Sequence, residues 1–264
     1  MKKTLLLATL ISIGFPISSF ANETLEVNSI GTYIKNHPEI IKDILVEHPE
    51  YLLDAEKSLE QQNKKKSIIA FANSIELSKK YSKELSNINS GYLGNKNGKT
   101  ILVEFFDYQC HFCKQTEPEI SNLLATNKDI LFIPKEVAFI SKDSIYASLV
   151  SIASSKISPE LYIKIHNDLI NSSSPLTHDH VDEIIHKNTD KYTEIQNIIK
   201  TGEPEQILND NAKLMQSLKS NGTPAFVIPG KGILQGYSPT SKLIAYIETP
   251  NPTTAELDSI LKGQ

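Results

Sequence analysis

Cys110 and Cys113 are the only two thiols in a chain of 264 residues, and they stand in Cys110-His111-Phe112-Cys113. A chain stapled by disulfides spreads its cysteines, whereas this one places both within one helical turn. Two intervening residues let the sulfurs close a small, reducible ring. At a helix start, backbone N–H groups and the helix dipole favour a thiolate at the first position. This pattern points to thiol redox chemistry. The competing readings are half of a metal site and an inert pair. A zinc site takes about four ligands, and no second Cys-x-x-Cys occurs.

Two other positions fit the same chemistry. Glu104 interrupts the apolar run Thr100-Ile101-Leu102-Val103-Glu104-Phe105-Phe106, six residues before Cys110. A carboxylate inside such a run is costly unless it is protonated or hydrogen-bonded; the alternative is an acid at a strand edge that reaches solvent. Thr223-Pro224 opens the apolar segment Ala225-Phe226-Val227-Ile228, and an X–Pro bond can adopt the cis form at small cost. His178, Asp182 and His186 recur at four-residue spacing on one helical face. They are read as a solvated face rather than a zinc site, since a metal needs an organised second shell.

The elements that position these residues follow from periodicity. Thr100–Phe106 has the continuous apolar character of a buried strand, and a helix follows from Cys110 to about Ala125, with Pro118 expected to kink it. Asp129–Val137 is the next strand. Ser141 to about Asn221 is mostly helical, with breaks near Ser158-Pro159, Ser172–Pro175 and Gly202–Pro204. Pro224–Ile228 and Gly232–Gln235 are a strand pair joined at Pro229-Gly230, and Ser241–Ile247 is a helix. The expected fold is α/β: a thioredoxin fold with a helical insertion, preceded by an α-helical N-terminal arm.

That arm starts after a leader. Met1-Lys2-Lys3 is basic, Thr4–Ile17 is apolar, and Ser19-Phe20-Ala21 carries small residues where a signal peptidase reads. The apolar run is shorter than the ~20 residues of a membrane span. The expectation is a signal peptide over 1–21, with an uncleaved anchor as the alternative, and a mature protein in an oxidising compartment. From Val27 to about Leu85 the pattern is helical, with Ile30, Ile34, Ile41, Ile44, Leu45 and Leu52 at helical spacings. His-Pro-Glu occurs at His37-Pro38-Glu39 and His48-Pro49-Glu50, and each proline suits a first helical position. Helices are expected to about Asn36, over Pro38–Glu47, and over Pro49 to about Leu85. The arm is either an appendage packed on its own domain or, the favoured reading, an oligomerisation segment whose apolar faces need partners. The division is 1–21 leader, 22–86 arm, 87–250 catalytic domain with its insertion at about 141–221, and 251–264 tail. A net charge of −4 argues against a nucleic-acid partner.

The chain resembles the DsbA-like periplasmic thiol:disulfide oxidoreductases of the thioredoxin superfamily, from about Thr100 to Ile247. The resemblance is carried by Val103-Glu104-Phe105-Phe106-Asp107-Tyr108-Gln109-Cys110-His111-Phe112-Cys113-Lys114 and by Gly222-Thr223-Pro224-Ala225-Phe226-Val227-Ile228. The blocks Tyr33–Glu39 and Pro49–Leu53 resemble the branch with N-terminal helical oligomerisation segments, which includes disulfide isomerases. The resemblance implies that Cys110 attacks and Cys113 resolves. It implies that Glu104 is a buried acid relaying a proton to Cys113. Thr223-Pro224 would be a cis-proline loop where substrate peptide pairs with backbone, beside Phe112. It further implies exported cysteine-containing substrates, a membrane oxidant or reductase as redox partner, a homodimer or homotrimer, a periplasmic location, and no metal or cofactor. The family enzyme has histidine directly before the second cysteine; here His111 follows the first, so its part is either thiolate support or a solvent-facing spacer. Two readings of other classes are a chaperone or surface binding protein that uses its thiols little, and a metal carrier acting through the dithiol.

Overall fold

Proline at helix starts shapes the N-terminal arm: Pro38 is a first helical residue, and Pro49 stands one residue before the next helix, which was expected to begin with it. The computed structural model describes residues 29–262, so the leader expected at 1–21 lies outside the described residues. Residues 29–36 form α1, Pro38–Glu47 form α2, and α3 runs Glu50–Lys80. In each His-Pro-Glu triplet the histidine Nδ1 pairs with the glutamate two residues on, at 2.9 Å, and both histidines share φ −127° and ψ 65°. The two triplets are therefore one local structure used twice. The chain divides into two units between Asn63 and Lys64. Among residues 29–63 no side chain is buried.

The second unit includes the end of α3. Its polar residues have a purpose that periodicity does not reveal. Ser78 donates to the Lys231 carbonyl at 2.6 Å and accepts from the Gly230 N–H, and Ser74 accepts from the Ile233 N–H at 3.0 Å. The serines thus satisfy the turn between two later strands. Gly232 lies against the Phe71 ring, where a Cβ would collide. The single helix expected to Leu85 instead ends at Lys80, and α4 (Ser82–Leu85) follows after Tyr81.

A five-stranded sheet comes next, made of β1 (Leu93–Gly94), β2 (Thr100–Phe106), β3 (Ile130–Glu136), β4 (Ala225–Val227) and β5 (Leu234–Gln235), in the order β1-β3-β2-β4-β5. β2 and β3 are parallel; the other pairs are antiparallel. β1 was not legible as a strand: it is two residues long, and the turn signals around it mask it. Helix α5 (His111–Thr126) follows β2 and stays continuous through Pro118. The insertion is five helices: α6 (Lys142–Ile157), α7 (Pro159–Ile170), α8 (His178–Asn188), α9 (Tyr192–Lys200) and α10 (Glu203–Ser217). α11 (Thr240–Glu248) and α12 (Thr254–Lys262) close the chain.

Alternation along β2 sorts the core. Val103 and Phe105 face one side with Ile133, Ala225 and Leu214, while Leu102 faces the other with Phe132, Ile120 and Leu123 of α5. Glu104 alternates with Val103 and Phe105, so it falls on the α5 side. Phe105 is wholly buried, and truncating such a side chain to alanine costs about 3–5 kcal/mol.

The histidine-rich face of α8 meets two tyrosines. Asp182 is half-buried and accepts from the Tyr146 hydroxyl at 2.5 Å and from the Tyr192 hydroxyl at 3.1 Å. His178 stacks on Tyr146 and His186 on Tyr192. Both histidines remain exposed, as a solvated face requires, while Asp182 between them is tied to the two tyrosines. Among the described residues, no helix is long and apolar enough to cross a membrane.

Candidate active site

Cys110 is the N-cap of α5, with extended backbone (φ −72°, ψ 117°), so its sulfur stands at the helix start. The Cys110 N–H donates to the Asp107 carbonyl at 2.9 Å. The Asp107 carboxylate braces the loop: it accepts from Gln109 N–H, from the Ser144 hydroxyl at 2.7 Å, and from the N–H groups of Phe139 and Ile140. Asp107 is a site residue that reading the sequence passed over. Its signal was an acid two residues before the motif's Gln109.

Both cysteines are free thiols and both are buried, Cys113 more deeply. Their acidities diverge. The Cys110 thiol is lowered to about 6, chiefly by the hydrogen bond from Cys113; burial opposes this, and the Thr223 side chain and the N–H groups of Cys113 and Phe112 add to it. The Cys113 thiol is pushed far up by burial, by its bond to Cys110 and by the nearby Glu104 and Cys110 charges. One thiol therefore ionises readily and the other holds its proton.

Thr223-Pro224 is cis, and the Thr223 carbonyl lies 3.4 Å from Cys110 Sγ. The loop therefore joins the motif in space although 113 positions separate them in sequence. Pro224 leads directly into β4, whose Phe226 pairs with Glu104 on β2.

Glu104 is buried, and its Oε1 has no hydrogen-bond partner. Desolvation raises its pKa well above the ordinary carboxylate range, and the charges of Glu117 and Cys110 raise it further. The strand-edge alternative is thereby excluded: β2 is the central strand of the sheet. His111 and Phe112 lie differently. Both are exposed, their rings edge to face at 5.5 Å. The structure does not gather His111 with the buried groups around the thiols.

A second buried acid, Glu117, sits one turn beyond Cys113 on the same face of α5, raised to about 7 by burial. Its spacing of four from Cys113 was the available signal. Behind it stand His166, Tyr108, Ser151 and Glu136, all buried. These come from four separate segments, and nothing in their sequence spacing unites them.

The family model described as thioredoxin matches residues 86–248, more than half of the chain. Among solved structures, BcfH from Salmonella enterica Typhimurium is 28% identical at TM-score 0.66, with 83% of this chain and 98% of that chain covered. The thiol-disulfide exchange protein alpha-DsbA2 from Wolbachia pipientis is 21% identical at TM-score 0.62, with 66% and 94% covered. A periplasmic thioredoxin-like protein from Salmonella enterica serovar Typhimurium is 23% identical at TM-score 0.54, with 66% and 94% covered. No curated protein matches the chain. With its central β2, the thiols capping α5 and the proline loop opposite them, the chain belongs to the thioredoxin family.

Proposed function

We propose that this protein is a periplasmic thiol:disulfide oxidoreductase that forms or isomerises disulfides in exported proteins. The observation that carries the reading is the split between the two thiols, one lowered to about 6 and one raised by burial. Membership of the thioredoxin family and likeness to a thiol-disulfide exchange protein support it.

The chemistry runs in two exchanges. The Cys110 thiolate attacks one sulfur of a substrate disulfide. The substrate S–S bond breaks, a mixed disulfide forms, and the other substrate sulfur leaves as a thiolate. Cys113 then gives its proton to Glu104 and attacks Cys110 Sγ. The mixed bond breaks, the second substrate thiolate leaves, and Cys110–Cys113 becomes the disulfide. Substrate oxidation is the reverse. Burial raises the proton affinity of the Glu104 carboxylate, so it takes the Cys113 proton and returns it in the reverse exchange. The Thr223 backbone and the exposed Phe112 ring offer the surface on which a substrate strand aligns.

The arm supports an assembly of two or three copies. Ile30, Tyr33, Ile41, Ile44, Tyr51 and Leu52 are exposed, and an apolar patch of this kind marks a binding surface. Two or more active sites facing one cleft raise the effective thiolate concentration near a misfolded substrate, which favours isomerisation. The periplasmic placement rests on the leader-like sequence and on the periplasmic relative, and a membrane oxidant or reductase resets the dithiol.

Refolding of reduced and of scrambled ribonuclease, side by side, tests the reading. Recovery from the reduced substrate identifies an oxidase and recovery from the scrambled one an isomerase. Loss of neither in the Cys110→Ser, Cys113→Ser double variant overturns a redox role and favours a chaperone.

A further inference from the structure

Behind the thiols a continuous polar chain crosses the buried interior. Ser151 Oγ donates to Glu136 Oε1 at 3.0 Å, Tyr108 Oη donates to Ser151 Oγ at 2.7 Å, and Tyr108 Oη lies 2.8 Å from His166 Nδ1. The directions fix the ring. The Tyr108 hydroxyl proton points to Ser151, so His166 must donate from Nδ1–H to the Tyr108 oxygen. Its Nε2 is then a bare lone pair. That atom is buried, lacks a partner, and faces Glu117 Oε2 at 4.0 Å. This is too long for a hydrogen bond; a rotation of the carboxyl or one intervening water closes it. At the other end Glu136 Oε2 is also buried without a partner. An apolar core has no use for such atoms, and each is costly if idle.

We infer that Glu117, His166, Tyr108, Ser151 and Glu136 form a proton wire that moves one proton between two buried carboxyls. With the proton on Glu117, every donor points toward Glu136. To transfer it, Glu117 gives its proton to His166 Nε2, and His166 Nδ1 gives its own to Tyr108. Tyr108 passes its proton to Ser151, and Ser151 passes its proton to Glu136. All donors then point the other way. One proton has moved, His166 is neutral before and after, and no electron is involved.

The surroundings suit this exchange. Burial alone lowers His166 to about 3, so an imidazolium is not formed. Glu117 is raised to about 7 and Glu136 to about 8, both by burial first, so the two carboxyls titrate in one range. The groups around the wire are Glu104 from β2, Cys110 and Cys113, which share a buried cluster with Tyr108, Lys135 beside Glu136 on β3, and Tyr162 from α7, whose ring stacks on His166 at 5.6 Å. Lys135 attracts charge onto Glu136. Glu117 repels charge on Glu104.

The wire rests on the thiol-exchange reading and deepens it. In the disulfide form Glu104 holds the proton taken from Cys113, Glu117 is free to ionise, and the mobile proton sits on Glu136. On reduction Glu104 returns its proton to Cys113 and becomes an anion. Its repulsion draws the mobile proton back to Glu117, and Glu136 becomes an anion beside Lys135. His166, Tyr108 and Ser151 relay the proton between the two carboxyls and hold no net charge before or after.

Redox-difference infrared spectroscopy of the full chain tests this, with dithiothreitol and oxidised glutathione to cycle the dithiol. The bands of protonated carboxyls are assigned by Glu117→Gln and Glu136→Gln. On reduction the Glu136 band should fall and the Glu117 band should rise. Tyr108→Phe keeps the ring and removes the relay hydroxyl, so the Glu136 response should be lost while Glu104 still responds. Ser151→Ala should do the same if Tyr108→Phe does not fold. A Glu136 band indifferent to redox state, or one that still responds in both variants, overturns the wire. Failure of the thiol reading looks different: the wild-type Cys110–Cys113 disulfide would not form on oxidation. In that case the same bands are followed against pH. The wire then requires the two carboxyls to titrate together in the wild type and apart in Tyr108→Phe, and unchanged behaviour overturns it.

Discussion

Replacing Cys113 with alanine isolates the largest source of Cys110 acidity. The hydrogen bond from the Cys113 thiol is the leading cause of the fall to about 6. A hydrogen bond to a charged group contributes about 1.5–3 kcal/mol, and a thiol is a weak donor, so the lower end applies. At about 1.4 kcal/mol per unit, Cys113→Ala should raise the Cys110 pKa by about one unit. The effect on rate has two opposed parts. Below both pKa values the thiolate fraction falls about tenfold, while each thiolate becomes about threefold more nucleophilic, from a Brønsted slope of about 0.4–0.5. Alkylation by iodoacetamide should therefore be about threefold slower than in the reduced wild type at about pH 5 and about threefold faster at about pH 9, so the two profiles cross. Mass spectrometry of the quenched mixture gives the Cys110 rate, and the thiolate absorbance gives the pKa directly. Cys113→Ser keeps a hydroxyl donor and should hold the low value. A profile for Cys113→Ala that coincides with wild type, or shifts to lower pH, refutes the assignment of Cys113 as the group that makes Cys110 acidic.

Glu104→Gln should slow release of mixed disulfides by about 10²-fold or more, the usual worth of a positioned proton carrier, with the first attack by Cys110 less affected; stopped-flow with a peptide disulfide separates the steps, and equal losses indicate a packing defect. Glu117 should make the protein less stable as pH rises. Its folded pKa of about 7 lies above the ordinary value of 4.5, so its contribution is intact below about pH 4.5 and is lost as pH climbs through 7. Glu117→Gln should recover about 3 kcal/mol at pH 8 relative to wild type, by about 1.4 kcal/mol per unit, as read by urea unfolding; no difference between pH 4 and 8 rejects it. Removing residues 22–63 should leave a folded monomer that still oxidises dithiols, because the second unit begins at Lys64; light scattering and scrambled-ribonuclease refolding check this, and an intact chain that is already monomeric rejects the arm's part.

The parts of the site that could be read in advance share one property: local pattern constrains them. Cys110 and Cys113 are linked by a three-residue step, Glu104 stands out against an apolar strand, and Thr223-Pro224 announces itself through the proline. Strand period and helix period supplied the order of β2, α5, β3, the insertion and β4 for the same reason. What escaped notice was set by long-range packing. β1 exists because Leu93 and Gly94 find Phe132 and Leu131 on β3, not because two residues have a strand pattern. The serines of α3 look like solvent-facing polar residues until the β4–β5 turn needs their hydroxyls. Tyr146 and Tyr192 reach Asp182 from α6 and α9, a pairing that the four-residue spacing along α8 does not show.

His166 shows where that limit falls and what lies beyond it. In sequence it is one histidine in the amphipathic helix α7, at a position spaced like the buried Tyr162 and Ile170, and an apolar-face histidine is unremarkable there. Its chemistry depends on which ring nitrogen carries the proton. That is decided by Tyr108, whose direction is decided by Ser151, which answers to Glu136. Each residue takes its role from the next, over four segments far apart in the chain. The thiol pair is different, since helix start and spacing confer its reactivity directly. A dithiol can therefore be recognised from one short motif, while the buried polar chain from Glu117 to Glu136 is put together only when the sheet, α5 and the inserted helices close around it. That separation gives a practical order of work. Substitutions at Cys110 and Cys113 ask whether the protein does thiol chemistry at all, and Tyr108→Phe asks how the fold manages the proton once it does.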